Sequence, residues 1–109
     1  MTIEITDANY EQITKGLTKP IILEFGAEAW CSPCRTLAPI LEELSEEFKD
    51  DVIIGKVNVD DNVALAQKFG VRSIPAVFLL KADLTEADRF VGMLAKTEII
   101  KKIEKLKTA

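Results

Sequence analysis

The sequence predicts an α/β fold, in which helices pack on both faces of a mixed β-sheet. Two apolar runs, at residues 21–26 and 52–59, are typical of buried strands because few polar residues interrupt them. Between them, apolar side chains recur at helical spacing from Leu37 to Phe48, with glutamates on the opposite side. The three segments together predict a βαβ unit with a right-handed crossover, and therefore a parallel pair of strands.

The segments before and after this unit complete the predicted order, β-α-β-α-β-α-β-β-α, with about five strands and about four helices. Residues 3–5 alternate as in a short strand, and Asp7 is the candidate N-cap of a helix that ends at Gly16. After the βαβ unit, the patterns predict a helix at 62–69, a strand at 76–81, a turn at 82–86, an antiparallel strand at 87–91 and an amphipathic helix through 99–106.

The composition limits the classes of protein that the chain can represent. It has 109 residues, and we expect residues 1–109 to form one domain. A net charge of -4 without a stripe of Lys and Arg argues against nucleic acid as a partner. No apolar run approaches the ~20 residues of a membrane span, and the polar start MTIEITDANY lacks the pattern of a secretory signal. These features predict a cytoplasmic protein, whose thiols stay free or cycle.

The only two cysteines, Cys31 and Cys34, lie in the segment WCSPC. A structural zinc site needs about four ligands, and the chain has neither a histidine nor a third cysteine to complete one. A zinc or iron–sulfur site shared between two chains remains an alternative. A disulfide across two intervening residues closes so short a loop that it would stabilise the fold little.

A redox-active pair fits the predicted position of the two thiols best. Cys31 follows the central strand at the start of a helix, where backbone N–H groups and the helix dipole favour the thiolate. Cβ atoms three residues apart on a helix lie about 5–6 Å from each other, so a small adjustment closes the disulfide. Pro33 suits the first helical turn, where its missing N–H would have no partner. Cys34 is expected to lie deeper.

An ordered set of motifs extends over nearly the whole chain: LEFGAEAWCSPC, Ala38-Pro39, KVNVD at 56–60, VRSIPA at 71–76 and Phe90-Val91-Gly92. With these motifs the sequence resembles the thioredoxin family. The resemblance implies the thioredoxin fold and a thiol–disulfide oxidoreductase that reduces the disulfides of substrate proteins. It also implies a monomer without a bound cofactor, which a thioredoxin reductase of unknown type reduces again after each cycle.

The resemblance further implies a role for each residue around the cysteines. Cys31 is the attacking cysteine, which forms a mixed disulfide with the substrate, and Cys34 is the resolving cysteine. Pro75 matches the family's cis-proline, which keeps the backbone of Ile74 free to pair with an extended substrate segment. For Trp30, a place in the core is the alternative to a place on the rim of the site. The residues expected to bind substrate are Trp30, Ser32, Pro33, Ser73, Ile74, Pro75, Gly92 and Met93.

Glu24 lies in the middle of the apolar central strand, where an unpaired carboxylate is unfavourable. It occupies the place where the family usually carries a buried aspartate, and Lys56 matches the lysine that accompanies that aspartate. We therefore expect Glu24 to have a raised pKa and to shuttle a proton for Cys34, with Lys56 as its partner. The alternative is an edge-facing, solvated glutamate.

Four features depart from the family pattern, although none removes a reacting group. Ser32 replaces the usual glycine between the cysteines, and Gly26 stands where an aromatic residue is usual. One additional residue lies between Glu24 and Cys31, so the register of the strand has to be established by the structure. The turn at 81–87 lacks the Asn-Gly hairpin signal and is longer.

Two other functions remain as alternatives. A disulfide oxidase or isomerase would use the same cysteine pair at a more oxidising potential. A binding module would hold a shared metal or iron–sulfur site, or contact a partner, without turnover.

Overall fold

The computed structural model describes residues 1–109, and its nine elements follow the predicted order. The α/β architecture with five strands and four helices confirms the predicted fold class. None of the four helices is both long and apolar enough to cross a membrane. The elements are β1 Ile3–Glu4, α1 Tyr10–Thr14, β2 Ile21–Gly26, α2 Ser32–Glu47, β3 Ile53–Asn58, α3 Val63–Lys68, β4 Ala76–Leu80, β5 Glu86–Val91 and α4 Lys96–Lys107.

The five strands form one mixed sheet with the order β1-β3-β2-β4-β5. β2 and β3 are parallel, as the predicted βαβ unit requires, whereas β4 is antiparallel to both β2 and β5. β2 is therefore the central strand, and all six of its residues are buried. This position explains its apolar run, because a central strand covered on both faces has no side open to water.

Successive side chains of β2 point to opposite faces of the sheet. Ile22 belongs to the apolar cluster formed with α2 and α4. Phe25 belongs to the cluster on the other face, which includes residues of α1 and α3. Glu24 and Gly26 follow the alternation of Ile22, so both lie on the α2 side of the sheet. The carboxyl that the sequence singles out is thus on the face from which α2 starts.

The expected role of Asp7 as N-cap of α1 is wrong. α1 begins after Asn9, whose side-chain oxygen accepts a hydrogen bond of 2.7 Å from the backbone N–H of Thr6 and closes the preceding turn locally. The Asp7 carboxylate instead accepts from the backbone N–H groups of Leu65 (2.9 Å) and Ala64 (3.3 Å) in α3. A helix N-terminus can be capped by a residue distant in sequence, and here the cap ties the N-terminal segment to α3.

The turn between β4 and β5 has the longer form that the sequence indicates. The backbone N–H of Lys81 donates to the carbonyl of Thr85 at 2.9 Å, and Leu84 inside the turn has a φ of 71°. A non-glycine residue in this left-handed region is uncommon. β5 begins at Glu86, one residue earlier than predicted: the register between β4 and β5 shifts between Leu79 and Leu80, so that Leu80 pairs with Glu86.

Candidate active site

The two cysteines lie where the central strand passes into α2. Cys31 is the N-cap residue of α2, and its sulfur accepts a hydrogen bond of 3.2 Å from the backbone N–H of Cys34. The pair forms a disulfide, with the two Cα atoms 5.2 Å apart. Cys31 is 6% exposed and Cys34 is 1% exposed. The deeper position expected for Cys34 is confirmed, and Cys31 is the more exposed residue of the pair.

The additional residue between strand and cysteines is absorbed by the turn at 27–30. The carbonyl of Ala27 accepts hydrogen bonds from the backbone N–H groups of Trp30 (3.1 Å) and Cys31 (2.8 Å). β2, the strand before this turn, pairs regularly with both neighbouring strands: Glu24 lies opposite Lys56 on β3 and Val77 on β4. Glu24 therefore lies in the centre of the sheet, and the segment with the additional residue forms the turn that follows β2.

Glu24 is only 3% exposed, so the alternative of an edge-facing, solvated glutamate is wrong. Its carboxyl makes no hydrogen bond to another protein group, and Glu24 contributes to the lining of a pocket of about 320 Å³ between β1, β2 and β3. Burial raises the pKa of the Glu24 carboxyl from 4.5 to about 7; the positive charge of Lys56 opposes this shift, and the negative charge of Glu28 adds to it. A carboxyl in this state can take up and release a proton near neutral pH.

Lys56 lies beside Glu24 in the sheet, but its ammonium forms an ion pair with the Glu28 carboxylate instead. Lys56 therefore acts on Glu24, its expected partner, through its charge and makes no ion pair with it. Glu28 is a site residue that the sequence analysis missed. The signal was available, since Glu28 is the only acidic residue of the loop that carries the extra residue.

A second segment approaches the cysteines from the start of β4. The peptide bond between Ile74 and Pro75 is cis, as expected, and Ile74 packs against the cluster that contains both cysteines. The backbone N–H and carbonyl of Ile74 take part in no hydrogen bond within the chain. The carbonyl of Pro75 accepts from the backbone N–H of Gly92 at 2.8 Å, and Gly92 has a φ of 87° that suits a glycine. This bond fixes Gly92 beside the cis-proline.

The other residues expected at the rim are on the surface. Trp30 is 62% exposed, which excludes the alternative of a core position, and its indole N–H donates to the Asp60 carboxylate at 2.8 Å. Met93 is 41% exposed. The Ser32 hydroxyl makes no hydrogen bond in this oxidised state. Ser32, Pro33 and Ser73 are all exposed.

The chain offers no group of three or more His, Cys, Asp or Glu side chains arranged to hold a metal ion. The chemistry that the site supports directly is the opening and closing of the Cys31–Cys34 bond. The Cys31 sulfur receives a backbone N–H at a helix N-terminus, and the same contact would stabilise a thiolate after reduction.

Several known proteins are similar in sequence to this chain along most of their length. A family model described as Thioredoxin matches residues 1–105. The thioredoxin of Haemophilus influenzae is 45% identical over 97 residues, which are 89% of this chain and 89% of that protein. The thioredoxin of Alicyclobacillus acidocaldarius is 46% identical over 80 residues, or 73% and 74% of the two chains. Thioredoxin 1 of Synechococcus elongatus is 36% identical over 101 residues, or 93% and 92%. The chain is a thiol–disulfide oxidoreductase that reduces protein disulfides, and it belongs to the thioredoxin family.

Proposed function

We propose that Cys31 is the nucleophile and Cys34 the resolving thiol in the reduction of substrate disulfides. The supporting observation is that Cys31 lies at the N-cap of α2 and is the more exposed residue of the pair. The Cys31 thiolate attacks one sulfur of the substrate disulfide, and the other sulfur leaves as a thiolate. Cys34 then attacks the Cys31 sulfur, which closes the intramolecular disulfide and releases the second substrate sulfur.

Glu24 takes the proton of the Cys34 thiol in the second step. Cys34 is 1% exposed, so bulk water has little access to its proton, whereas Glu24 lies on the same side of the sheet. The raised pKa of Glu24 suits this exchange, because at neutral pH a large fraction of the carboxyls is free to accept a proton. Lys56 and Glu28 set the charge around Glu24, and the pocket next to them gives the proton a way to solvent.

The substrate segment docks across the cis-proline. Ile74 has an unused backbone N–H and carbonyl beside the cysteines, which favours pairing with an extended segment as an added strand. Pro75, Gly92, Ser73 and Met93 would lie along this segment. Trp30, Ser32 and Pro33 would contact it from the α2 side.

The proposed cycle needs an electron donor but no bound cofactor, because the electrons travel in the cysteine pair. A thioredoxin reductase reduces the Cys31–Cys34 disulfide after each turnover, and the protein works as a cytoplasmic monomer without nucleic acid or membrane partners. The similarity to thioredoxins supports this donor and these partners.

Disulfide reduction in an insulin assay, with dithiothreitol as the electron source, tests the proposed roles. Cys31→Ser should be inactive, whereas Cys34→Ser should still attack and accumulate a mixed disulfide. Activity that survives Cys31→Ser would contradict the assignment of the nucleophile. A reduction potential more oxidising than the glutathione couple would instead favour the oxidase or isomerase. Stoichiometric zinc or iron in the purified protein would favour the binding module.

A further inference from the structure

Gly26, the last residue of β2, lies on the same side of the sheet as Glu24. A Cβ atom placed on Gly26 would come less than 3.0 Å from Oε2 of Glu24, and 3.2 Å from Sγ of Cys34. Both atoms thus border the space that the missing side chain leaves. One oxygen of the Glu24 carboxyl therefore takes up space that a Cβ atom at residue 26 would need.

We propose that Gly26 is a positioning residue for proton transfer: its missing side chain provides the space in which the Glu24 carboxyl reaches the Cys34 thiol. This inference rests on the proposed role of Glu24. It adds that the transfer depends on the absence of a Cβ atom at residue 26, since any side chain there would displace the carboxyl from the sulfur.

The proton step is balanced within this space. The S–H bond of Cys34 breaks, its proton passes to the Glu24 carboxylate, and the freed electron pair attacks the Cys31 sulfur. The new sulfur–sulfur bond forms as the bond from Cys31 to the substrate sulfur breaks, and that sulfur leaves as a thiolate. The two electrons of the dithiol thus pass to the substrate, and Glu24 later releases the proton to solvent.

α2 covers this face of the sheet: it brings the Cys34 sulfur close to the Glu24 carboxyl, and its Glu42 interacts with the charge of Lys56. Other charged groups come from the segments packed around the carboxyl. β3 contributes Lys56, the loop after β2 contributes Glu28, and β1 contributes Glu4 to the same pocket. β4 contributes the apolar Val77 at the paired position.

A substitution of Gly26 by alanine changes none of these charges, so its effect on proton transfer would come from the position of the carboxyl or from contact with the Cys34 sulfur, 3.2 Å from the added Cβ atom. Shortening the acid at residue 24 changes only the first of these.

Gly26→Ala is expected to fold. The φ of Gly26 lies outside the left-handed region, so alanine is compatible with the backbone. Its closest contact would be Oε2, the far end of a flexible side chain that can move aside. Gly55→Ala is a matched control on β3, because its Cβ atom would clash with the side chain of Ile5 and not with the site.

The test is the rate at which Cys34 resolves a preformed mixed disulfide between Cys31 and a peptide thiol, measured over a range of pH. Gly26→Ala should slow resolution about tenfold at neutral pH, a partial loss of acid–base catalysis, and should weaken the inflection near pH 7. The rate at which Cys31 attacks should stay unchanged. Gly55→Ala should lower stability and leave the pH inflection in place.

Rescue by a shorter acid separates positioning from a general disturbance of the fold. In Glu24→Asp the side chain is one methylene shorter, so the carboxyl no longer lies where Gly26→Ala adds a methyl group. We expect the alanine to slow resolution about tenfold with Glu at residue 24 and less than about threefold with Asp there. If Gly26→Ala alone does not fold, the double variant Glu24→Asp with Gly26→Ala should still fold and resolve within about threefold of Glu24→Asp. Failure of the double variant to fold, or a larger loss of rate in it, would overturn the positioning role.

An equal effect of the alanine with either acid, or an unchanged rate and pH inflection in Gly26→Ala, would overturn the role of Gly26. This failure is distinguishable from failure of the proposed function. If Glu24→Gln slows resolution and Gly26→Ala does not, Glu24 remains the shuttle and only the positioning role falls. If Glu24→Gln has no effect, the shuttle itself is wrong, and the positioning role falls with it.

Discussion

The two sides of strand β2 differ in what they contribute to the molecule. On one side, Phe25 packs against the rings of Phe69 and Phe78, with ring centroids 5.3 Å and 5.5 Å away. On the other side, the residues change from apolar Ile22 to the carboxyl of Glu24 as the strand approaches the cysteines. Both sides of the strand therefore contribute apolar packing, but only the α2 side also holds a buried carboxyl, to which we assign a role in proton transfer.

The largest expected effect concerns the cysteine pair that follows β2. Cys31→Ser removes the only attacking sulfur, so disulfide reduction should fall to background, a loss on the order of a thousandfold or more. Cys34→Ser is the matched control, since it leaves Cys31 able to attack but unable to be released. Mass spectrometry should detect the trapped mixed disulfide in Cys34→Ser and none in Cys31→Ser. The reverse result would exchange the two roles.

A substitution on the side of β2 that carries Phe25 should lower the free energy of unfolding. Phe25→Ala removes a fully buried ring, and we expect a loss of about 3–5 kcal/mol in the free energy of unfolding. Urea denaturation measures this loss. In the fraction that stays folded, resolution by Cys34 should keep its dependence on pH. A loss of the inflection near pH 7 in Phe25→Ala would show that the two sides are not separable.

The buried carboxyl of Glu24 should make the stability of the fold depend on pH, as well as the rate of resolution by Cys34. The folded state raises the pKa of Glu24, so it prefers the protonated carboxyl, and stability declines as pH rises between about 4.5 and about 7. Glu24→Gln is neutral at every pH and lacks this decline. The variant should therefore gain up to about 3 kcal/mol relative to the wild type across that window.

Urea denaturation of the wild type and Glu24→Gln at several pH values measures this gain. Glu104→Gln offers a control at an exposed carboxyl on α4, and its stability should follow the wild type. A constant difference between Glu24→Gln and the wild type at all pH values would contradict a raised pKa for Glu24.

Smaller effects are expected from the two charges beside Glu24. Lys56→Gln removes the positive charge that opposes the shift, so the pKa of Glu24 should rise further. Glu28→Gln removes a negative charge and also frees Lys56 from its ion pair, so the pKa of Glu24 should fall. NMR titration of the labelled Glu24 carboxyl measures both. Shifts of the same sign in the two variants would contradict the assigned charges.

The sequence predicts those parts of the fold that depend on local patterns. Apolar runs identified β2 and β3, and helical spacing identified α2 and α4, because these patterns follow from the periodicity of each element. The cap was misassigned because the Asp7 carboxylate finds its partner in α3, far along the chain. Local reasoning assigns a capping residue to the nearest helix and cannot see such a contact.

In the candidate site, too, local patterns predict some features, while others depend on contacts between distant residues. The burial of Glu24 followed from its place in an apolar run, and the cysteine pair from its spacing. The ion pair between Lys56 and Glu28 did not, because side chains on a strand and a loop meet only in three dimensions. The sequence alone shows that residue 26 is a glycine where the family usually has an aromatic residue. Its relation to Glu24 required the position of the carboxyl.

The pH dependence of mixed-disulfide resolution tests most directly whether Glu24 is the proton acceptor of Cys34. In the wild type, the rate should rise with pH through an inflection near 7, as the Glu24 carboxyl loses its proton. In Glu24→Gln, this inflection should disappear and the rate should be low at neutral pH, approaching the wild type only where the Cys34 thiol ionises by itself. A Glu24→Gln protein with the wild-type rate and the same inflection would contradict the account.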